Sequence, residues 1–294
     1  LEYYGEVPHT LDYPDVSLYE RLKQSVEKYP NAIAFDFMGT KYTYKEMMEE
    51  IDHYADALYD LGVRRGDVMT ISMPTAPNGV IPIYALNKIG AIASMIHPLS
   101  PPPQIEMFLN ISESKWALTL DAFYKPFNEI LHKTNVKKLI LGTIPDYLKG
   151  LLKFGFKITK GRKIPSVPES DDRIVWYMDM MEKQVPKADI PTDISGEDTA
   201  ILLYSGGTTG IPKGIELTNL NMISEGMQVA EWGRLTPEDS ILAILPIFHG
   251  FGLGVCVNAA FMSGMKSIFV PQFTPESVAK LVKKQRPTML VGVP

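Results

Sequence analysis

Short apolar runs alternate with helix-period segments along most of this chain, and that alternation restricts its fold more than any other feature. Ala32 to Phe37, Asp67 to Met73, Ala91 to Ile96, Trp116 to Leu120 and Lys137 to Leu141 each read as a short strand. Ser17-Leu-Tyr-Glu20 reads as a capping box, after which Leu18, Leu22 and Val26 keep helical spacing. Gly39 and Thr40 read as a turn. Thr43-Tyr-Lys-Glu46 is a second box, and Gly62 closes its helix where a left-handed backbone is cheap only for glycine. Asn78 to Ile89 and, after the run Pro101-Pro102-Pro103, Gln104 to Asn110 are further helices. Strands that are apolar on both faces must be covered on both faces, and helices that return between them make right-handed crossovers. The expected fold is therefore α/β, in layered αβα subdomains with mostly parallel sheets.

The pattern lapses twice. Lys149 to Pro168 carries Lys149, Lys153, Lys157, Lys160, Arg162 and Lys163 without an acid, interleaved with Leu151, Leu152, Phe154, Phe156 and Ile158. Residues 149–163 read either as a solvated surface or as a patch in transient contact with an anionic membrane or an acyl-carrying partner. Gly150, Gly155 and Gly161 weaken a helix there and favour the solvated surface. Ile190 to Glu197, in which Pro191 stands among polar residues, reads as a linker. Beyond it lie a strand (Ala200 to Tyr204), a helix (Thr218 to Trp232), strands at Ser240 to Leu245 and Ser267 to Val270, a helix from Pro275 to Gln285, and a last strand, Thr288 to Val291. With 294 residues there is room for about two domains. The expected division is a first α/β subdomain over 1–188 and the start of a second, incomplete one over 189–294.

Charge and cysteine content exclude several classes. A net charge of −5 gives no general attraction to nucleic acid, so any anion site must be local. Cys256 is the lone cysteine, which rules out an internal disulfide or a cysteine metal cluster. Together with a start that lacks the basic and apolar regions of a signal peptide, this points to a reducing, cytoplasmic setting. Ser240 to Met265 has no charged residue, but Pro246, His249, Asn258 and its glycines suit a buried strand, a loop and a buried helix better than a membrane span. His9, His53, His97, His132 and His249 are scattered without ligand spacing, so no protein metal site is expected.

The strongest chemical signal is Tyr204-Ser-Gly-Gly-Thr-Thr-Gly-Ile-Pro-Lys-Gly214, directly after an apolar strand. Gly206, Gly207 and Gly210 let the backbone bring its N–H groups close to an anion. Ser205, Thr208 and Thr209 add hydroxyl donors, and Lys213 adds a cation. Many neutral donors with one cation suit a polyphosphate, whose charge is spread over many oxygens. It is not a Walker loop, because Pro212 precedes the lysine and Gly214 follows it. Ordinary turns also use Gly, Thr and Pro, but have no need of this whole set.

This segment resembles the signature loop of the adenylate-forming superfamily, which includes acyl-CoA synthetases, luciferases and peptide-synthetase adenylation domains. The family pattern is close to Tyr/Phe-Thr-Ser-Gly-Thr-Thr-Gly-x-Pro-Lys-Gly. Ser205 stands where Thr is usual and keeps the hydroxyl; Gly206 stands where Ser is usual and loses it. Leu245-Pro-Ile-Phe-His249-Gly-Phe-Gly-Leu253 resembles the family's Leu-Pro-x-Phe-His segment, which borders the acyl pocket. A lone histidine and an aromatic pair are by default structural. The resemblance makes His249 a residue beside the carboxylate, with Phe248 and Phe251 as pocket walls and Gly252 leaving room for a chain. Ser17 to Pro98 resembles the family's opening more loosely.

The resemblance implies an AMP-forming acid–thiol ligase. A carboxylate attacks the α-phosphorus of ATP, pyrophosphate leaves, and coenzyme A takes the acyl group from the adenylate. Ser205, Thr208, Thr209 and Lys213 would hold the β and γ phosphates, with Lys213 and Thr208 as the catalytic pair, and Mg2+ bridging phosphate oxygens is implied. Phe248 and Phe251 tilt the substrate toward a fatty or other apolar acid. The family's adenine-stacking and ribose-binding segments and its C-terminal lysine are not seen, so the chain by itself is expected to lack efficient turnover. The competing readings are a non-catalytic nucleotide- or acyl-binding module and an amino-acid adenylating domain. A dehydrogenase would need Gly-x-Gly-x-x-Gly after Phe37, where Met38-Gly39-Thr40 stands instead.

Overall fold

The computed structural model describes residues 4–150, 153, 167–168, 171–191, 193–205 and 212–293. Helix α1 (Leu18–Lys28) begins with its first N–H groups satisfied by side chains. Glu20 N donates to Ser17 Oγ at 3.0 Å, Leu18 N to Asn219 Oδ1 at 2.9 Å, and Tyr19 N to Asn87 Oδ1 at 2.8 Å. Asn87 Nδ2 also donates to Asn219 Oδ1 at 2.7 Å, so three distant segments share one buried polar knot. The reciprocal half of the expected Ser17 box is not made; Glu20 pairs with Lys23 at 3.4 Å. The second box is complete: Thr43 and Glu46 cap helix α2 (Tyr44–Asp60) from both sides, and Gly62 follows at φ 103°. Helix α3 (Pro77–Ile89) is apolar all round and almost wholly buried, packed against α1 and α2.

Strands β1 (Ile33–Phe37) and β2 (Thr40–Thr43) form an antiparallel hairpin. The next strands are β3 (Val68–Ser72), β4 (Ile92–Met95), β5 (Trp116–Leu120), β6 (Lys138–Gly142), β7 (Ile174–Trp176), β8 (Thr199–Ser205) and β9 (Lys213–Thr218). They make one sheet in the order β7-β6-β5-β3-β4-β8-β9, parallel except for β9. Strands β10 (Ser240–Ala243), β11 (Lys266–Phe269) and β12 (Met289–Leu290) join the opening hairpin in a second sheet, β12-β10-β11-β1-β2, parallel except for β2. The remaining α-helices are α4 (Pro102–Ile111), α5 (Tyr124–Ile130), α6 (Tyr177–Glu182), α7 (Asn219–Gly233), α8 (Ala260–Ser263) and α9 (Pro275–Gln285), with a π-helix over Gly252–Ala259.

Mostly parallel sheets with helical connections are what the apolar runs require. The expected boundary at 188/189, however, does not separate the sheets. The early hairpin belongs with β10, β11 and β12, and the late strands β8 and β9 complete the sheet begun by β3. One continuous apolar cluster runs from Leu18 through Tyr84 and Ile201 to Phe261 and Phe269. Ser240 to Met265 resolves into strand, loop and buried helix, and among the described residues no helix is long and apolar enough to cross a membrane. Of the basic segment 149–163, most lies outside the described residues; Lys149 Nζ stands 5.2 Å from the Tyr42 ring centroid.

Candidate active site

Strands β4 and β8 are parallel neighbours, with Ala93 opposite Ile201 and Ser94 opposite Leu202, so their carboxyl ends open at the same edge. Ligands of open α/β sheets bind at such edges. Beyond β4 the chain runs through His97 to Ser100, and beyond β8 it enters the glycine-rich loop at Ser205. The third wall comes from the other sheet, where β10 leads into Leu245-Pro-Ile-Phe-His249. Thr75 Oγ1, just before α3, donates to the Leu245 carbonyl at 3.2 Å and fixes where this loop leaves the sheet. Together these segments enclose a cleft of about 440 Å³ lined by Met95, His97, Phe108, Tyr204, Ser205, Pro212, Phe248 and His249, among others. The His97 and Phe248 rings meet at 4.4 Å and close the seam between the sheets.

Tyr204, the first residue of the motif, is fixed in this wall. Its hydroxyl lies 2.8 Å from Ser94 Oγ, and its ring packs on Phe108 at 4.3 Å. Burial holds its pKa above the usual phenol value, so the hydroxyl stays neutral. His97 Nδ1 accepts the Leu99 N–H at 2.9 Å, and partial desolvation lowers the pKa of the ring although the residue as a whole is exposed. The imidazole is therefore neutral at physiological pH, with its proton on Nε2.

The loop proves to be a hairpin connection. Ser205 pairs across it with Lys213, and Tyr204 with Gly214. Residues directly opposite in an antiparallel pair project to the same face. Ser205 and Lys213, eight positions apart in sequence, are thereby brought together. Lys213 is exposed and has no ion pair among the described residues. Gly206, Gly207, Thr208, Thr209 and Gly210 lie outside the described residues.

Of the expected acyl-pocket residues, Phe248 and His249 line the cleft, whereas Phe251 does not and is 42% exposed. Gly252 is buried under the Pro246 carbonyl, with which any added Cβ would collide. Its role is close approach: it lets the π-helix start directly beneath the loop that carries His249. Sequence reasoning set His97 aside among scattered histidines and passed over Ser100, Gln104 and Phe108. The available signal was His97's place two residues beyond the carboxyl end of an apolar strand. The missing information was that this strand pairs with β8.

The described lining offers hydroxyls, imidazoles and backbone but no carboxylate, and no group of three or more His, Cys, Asp or Glu able to hold a metal occurs among the described residues. Magnesium binds through carboxylates together with substrate phosphates, so this donor set alone does not make a magnesium site.

The chain matches the family described as "AMP-binding enzyme" over residues 22–294. It belongs to that family. A long-chain-fatty-acid–CoA ligase of Bacillus subtilis (strain 168) is 28% identical over 100% of this chain and 53% of its own length. A ligase of the same description from Escherichia coli O157:H7 is 29% identical over 96% of this chain and 52% of its own. The chain thus spans about half the length of the curated relatives it matches. Among solved structures, a long-chain-fatty-acid-CoA ligase from Archaeoglobus fulgidus shares the fold with TM-score 0.79 at 24% identity, covering 96% of this chain and 52% of that one. An anthranilate CoA ligase in complex with anthranoyl-AMP does so with TM-score 0.78 at 20% identity, over 96% and 50%.

Proposed function

We propose that this chain carries the triphosphate-gripping and acid-binding half of an AMP-forming acid–CoA ligase. The observation that carries the reading is a convergence. The ends of the glycine- and hydroxyl-rich loop, Ser205 and Pro212, line the same cleft as Phe248 and His249, although the two segments sit in different sheets.

In this reading Ser205, Thr208 and Thr209, the amides of Gly206, Gly207 and Gly210, and Lys213 hold the β and γ phosphates of ATP. The substrate carboxylate lies beside His249 and Phe248. One carboxylate oxygen attacks the α-phosphorus, the bond to the β-phosphate oxygen breaks, and pyrophosphate departs with the electron pair. Donors fixed before the reaction stabilise the charge that builds on that leaving group and need no rearrangement. The acyl-adenylate then passes its acyl group to the thiol of coenzyme A, releasing AMP. Mg2+, when bound, would screen the phosphate charge. Apolar lining by Met95, Ile96, Phe108 and Phe248 supports an apolar acid, and the long-chain-fatty-acid–CoA ligases among its relatives support a fatty one.

The test is AMP and pyrophosphate formation by the protein at its full natural length. Fatty, aromatic and amino acids are each supplied with ATP and coenzyme A. Fatty acids should give the highest kcat/KM. No AMP with any carboxylic acid would sink the reading.

A further inference from the structure

Several polar side chains of the cleft have no task in the ligase mechanism, His97, Ser100 and Gln104 among them, and His97 is the one whose acceptor nitrogen is already committed. Nδ1 of His97 is committed to the Leu99 N–H at 2.9 Å, whereas Nε2 has no acceptor among the described residues. The imidazole cannot turn aside freely, because the Phe248 ring packs against it, with centroids 4.4 Å apart and planes tilted by 53°. It is exposed, yet it shares the cleft with Ser205, Pro212 and His249. Its backbone follows β4, the register neighbour of the strand that ends at Ser205. A fixed ring, a fixed tautomer and one spare N–H in a cleft suited to anions make a preorganised donor.

We propose that His97 presents Nε2–H as a hydrogen-bond donor to an anionic oxygen of the ligand in this cleft, on either the substrate carboxylate or a phosphate. The inference rests on the acid–CoA ligase reading and adds to it a contact residue carried by the other arm of the same sheet edge. Because the ring is neutral, donation needs no protonation step. A hydrogen bond to a charged oxygen corresponds to about a ten- to hundredfold change in affinity.

The experiment is calorimetric titration of the full-length protein with α,β-methylene-ATP, then with dodecanoic acid in its presence. H97F keeps a ring against Phe248 and removes the donor; H97Q restores a neutral N–H. H97F should weaken one ligand about ten- to hundredfold, and H97Q should recover most of that loss. Weakening confined to dodecanoic acid assigns the bond to the carboxylate, and weakening confined to the nucleotide assigns it to a phosphate. Wild-type affinity for both ligands in folded H97F overturns the proposal, as does an H97Q no better than H97F. If H97F does not melt cooperatively, H97A is read in its place. Failure of the unmutated protein to bind the nucleotide overturns the ligase reading itself, which separates the two failures.

Discussion

Lys213 is an exposed residue on an edge strand whose neighbours barely touch the core, so its removal should cost little stability. Its cross-strand pairing with Ser205 nevertheless puts its charge at the mouth of the glycine-rich loop. Lys213→Ala is therefore expected to lower the rate of acyl-adenylate formation by about a hundredfold. Unfolding should shift by less than about 0.5 kcal/mol. An unchanged rate in the folded variant would remove Lys213 from the assigned set. Glu225 on α7 presents the opposite case. Its carboxyl stands against Gly254 of the π-helix, Oε2 has no partner, and burial, partly offset by the Asn258 amide, pushes its pKa up to about 7 from the ordinary 4.5. Below the ordinary value the group is neutral in both folded and unfolded chains. As pH rises from there to about 7, the unfolded carboxyl ionises first and stability falls; above that the deficit is constant. Glu225→Gln should remove this fall, gaining about 1–3 kcal/mol on wild type near pH 8 and much less near pH 5, by urea midpoints at each pH. A gain equal at both pH values would assign the effect to packing. Neither residue's setting was legible beforehand: Glu225 reads as one more polar position on a helix, and only the packing of α7 on the π-helix buries it.

At the scale of elements, what could be read was what is buried on both faces. The central strands β3, β4, β5 and β6 are predominantly apolar, interrupted mainly by small hydroxyl residues, and they were recognisable as strands. The strands that escaped, β2, β7 and β9, are sheet edges, and Lys213 to Glu216 of β9 is exposed throughout. An edge strand pairs on one side only and needs no apolar run, so its signal resembles that of a turn. The π-helix is buried at every position, and a segment without a polar face has no period to betray its winding. The phosphate loop was recognisable from its glycines and hydroxyls, whereas its closure as a hairpin depended on the invisible β9. Capping signals were readable but do not rank themselves by energy. The Thr43 box is exposed, and Thr43→Ala should cost about 1 kcal/mol. Asn219 gives no cap signal for α1, from which it is 201 positions distant, yet it accepts from both Leu18 N and Asn87 Nδ2 in a buried site. Asn219→Ala leaves both donors unpaired and should cost about 2–4 kcal/mol by urea unfolding. The reverse ranking of these two variants would mean that water enters the knot.

Over the whole molecule, the chain is braided. Composition places a boundary near residue 188 because a largely polar stretch with Pro191 follows it, but such a stretch marks a surface crossing and says nothing about which sheet the flanking strands join. Here β1 pairs with β11, Phe35 opposite Ser267, and β4 pairs with β8. The braid is tied by side chains as well. Ser25 Oγ and an Arg21 guanidinium N–H both donate to the Met262 carbonyl, at 3.1 and 3.2 Å. The Tyr44 hydroxyl lies 2.8 Å from the Met265 carbonyl and 3.1 Å from that of Ala260. Buried carbonyls in and just beyond α8 thus accept hydrogen bonds from residues of the first helices of the chain. A cut at 188/189 would open the paired sides of β4 and β1 and strip these carbonyls of their donors. Residues 1–188 and 189–294, produced separately, should then show no near-ultraviolet dichroism and no cooperative melting, whereas the intact chain should unfold in a single transition seen alike by fluorescence and dichroism. A cooperative transition in residues 1–188 alone would mean that the seven-stranded sheet tolerates losing β8 and β9, and that the two sheets fold independently.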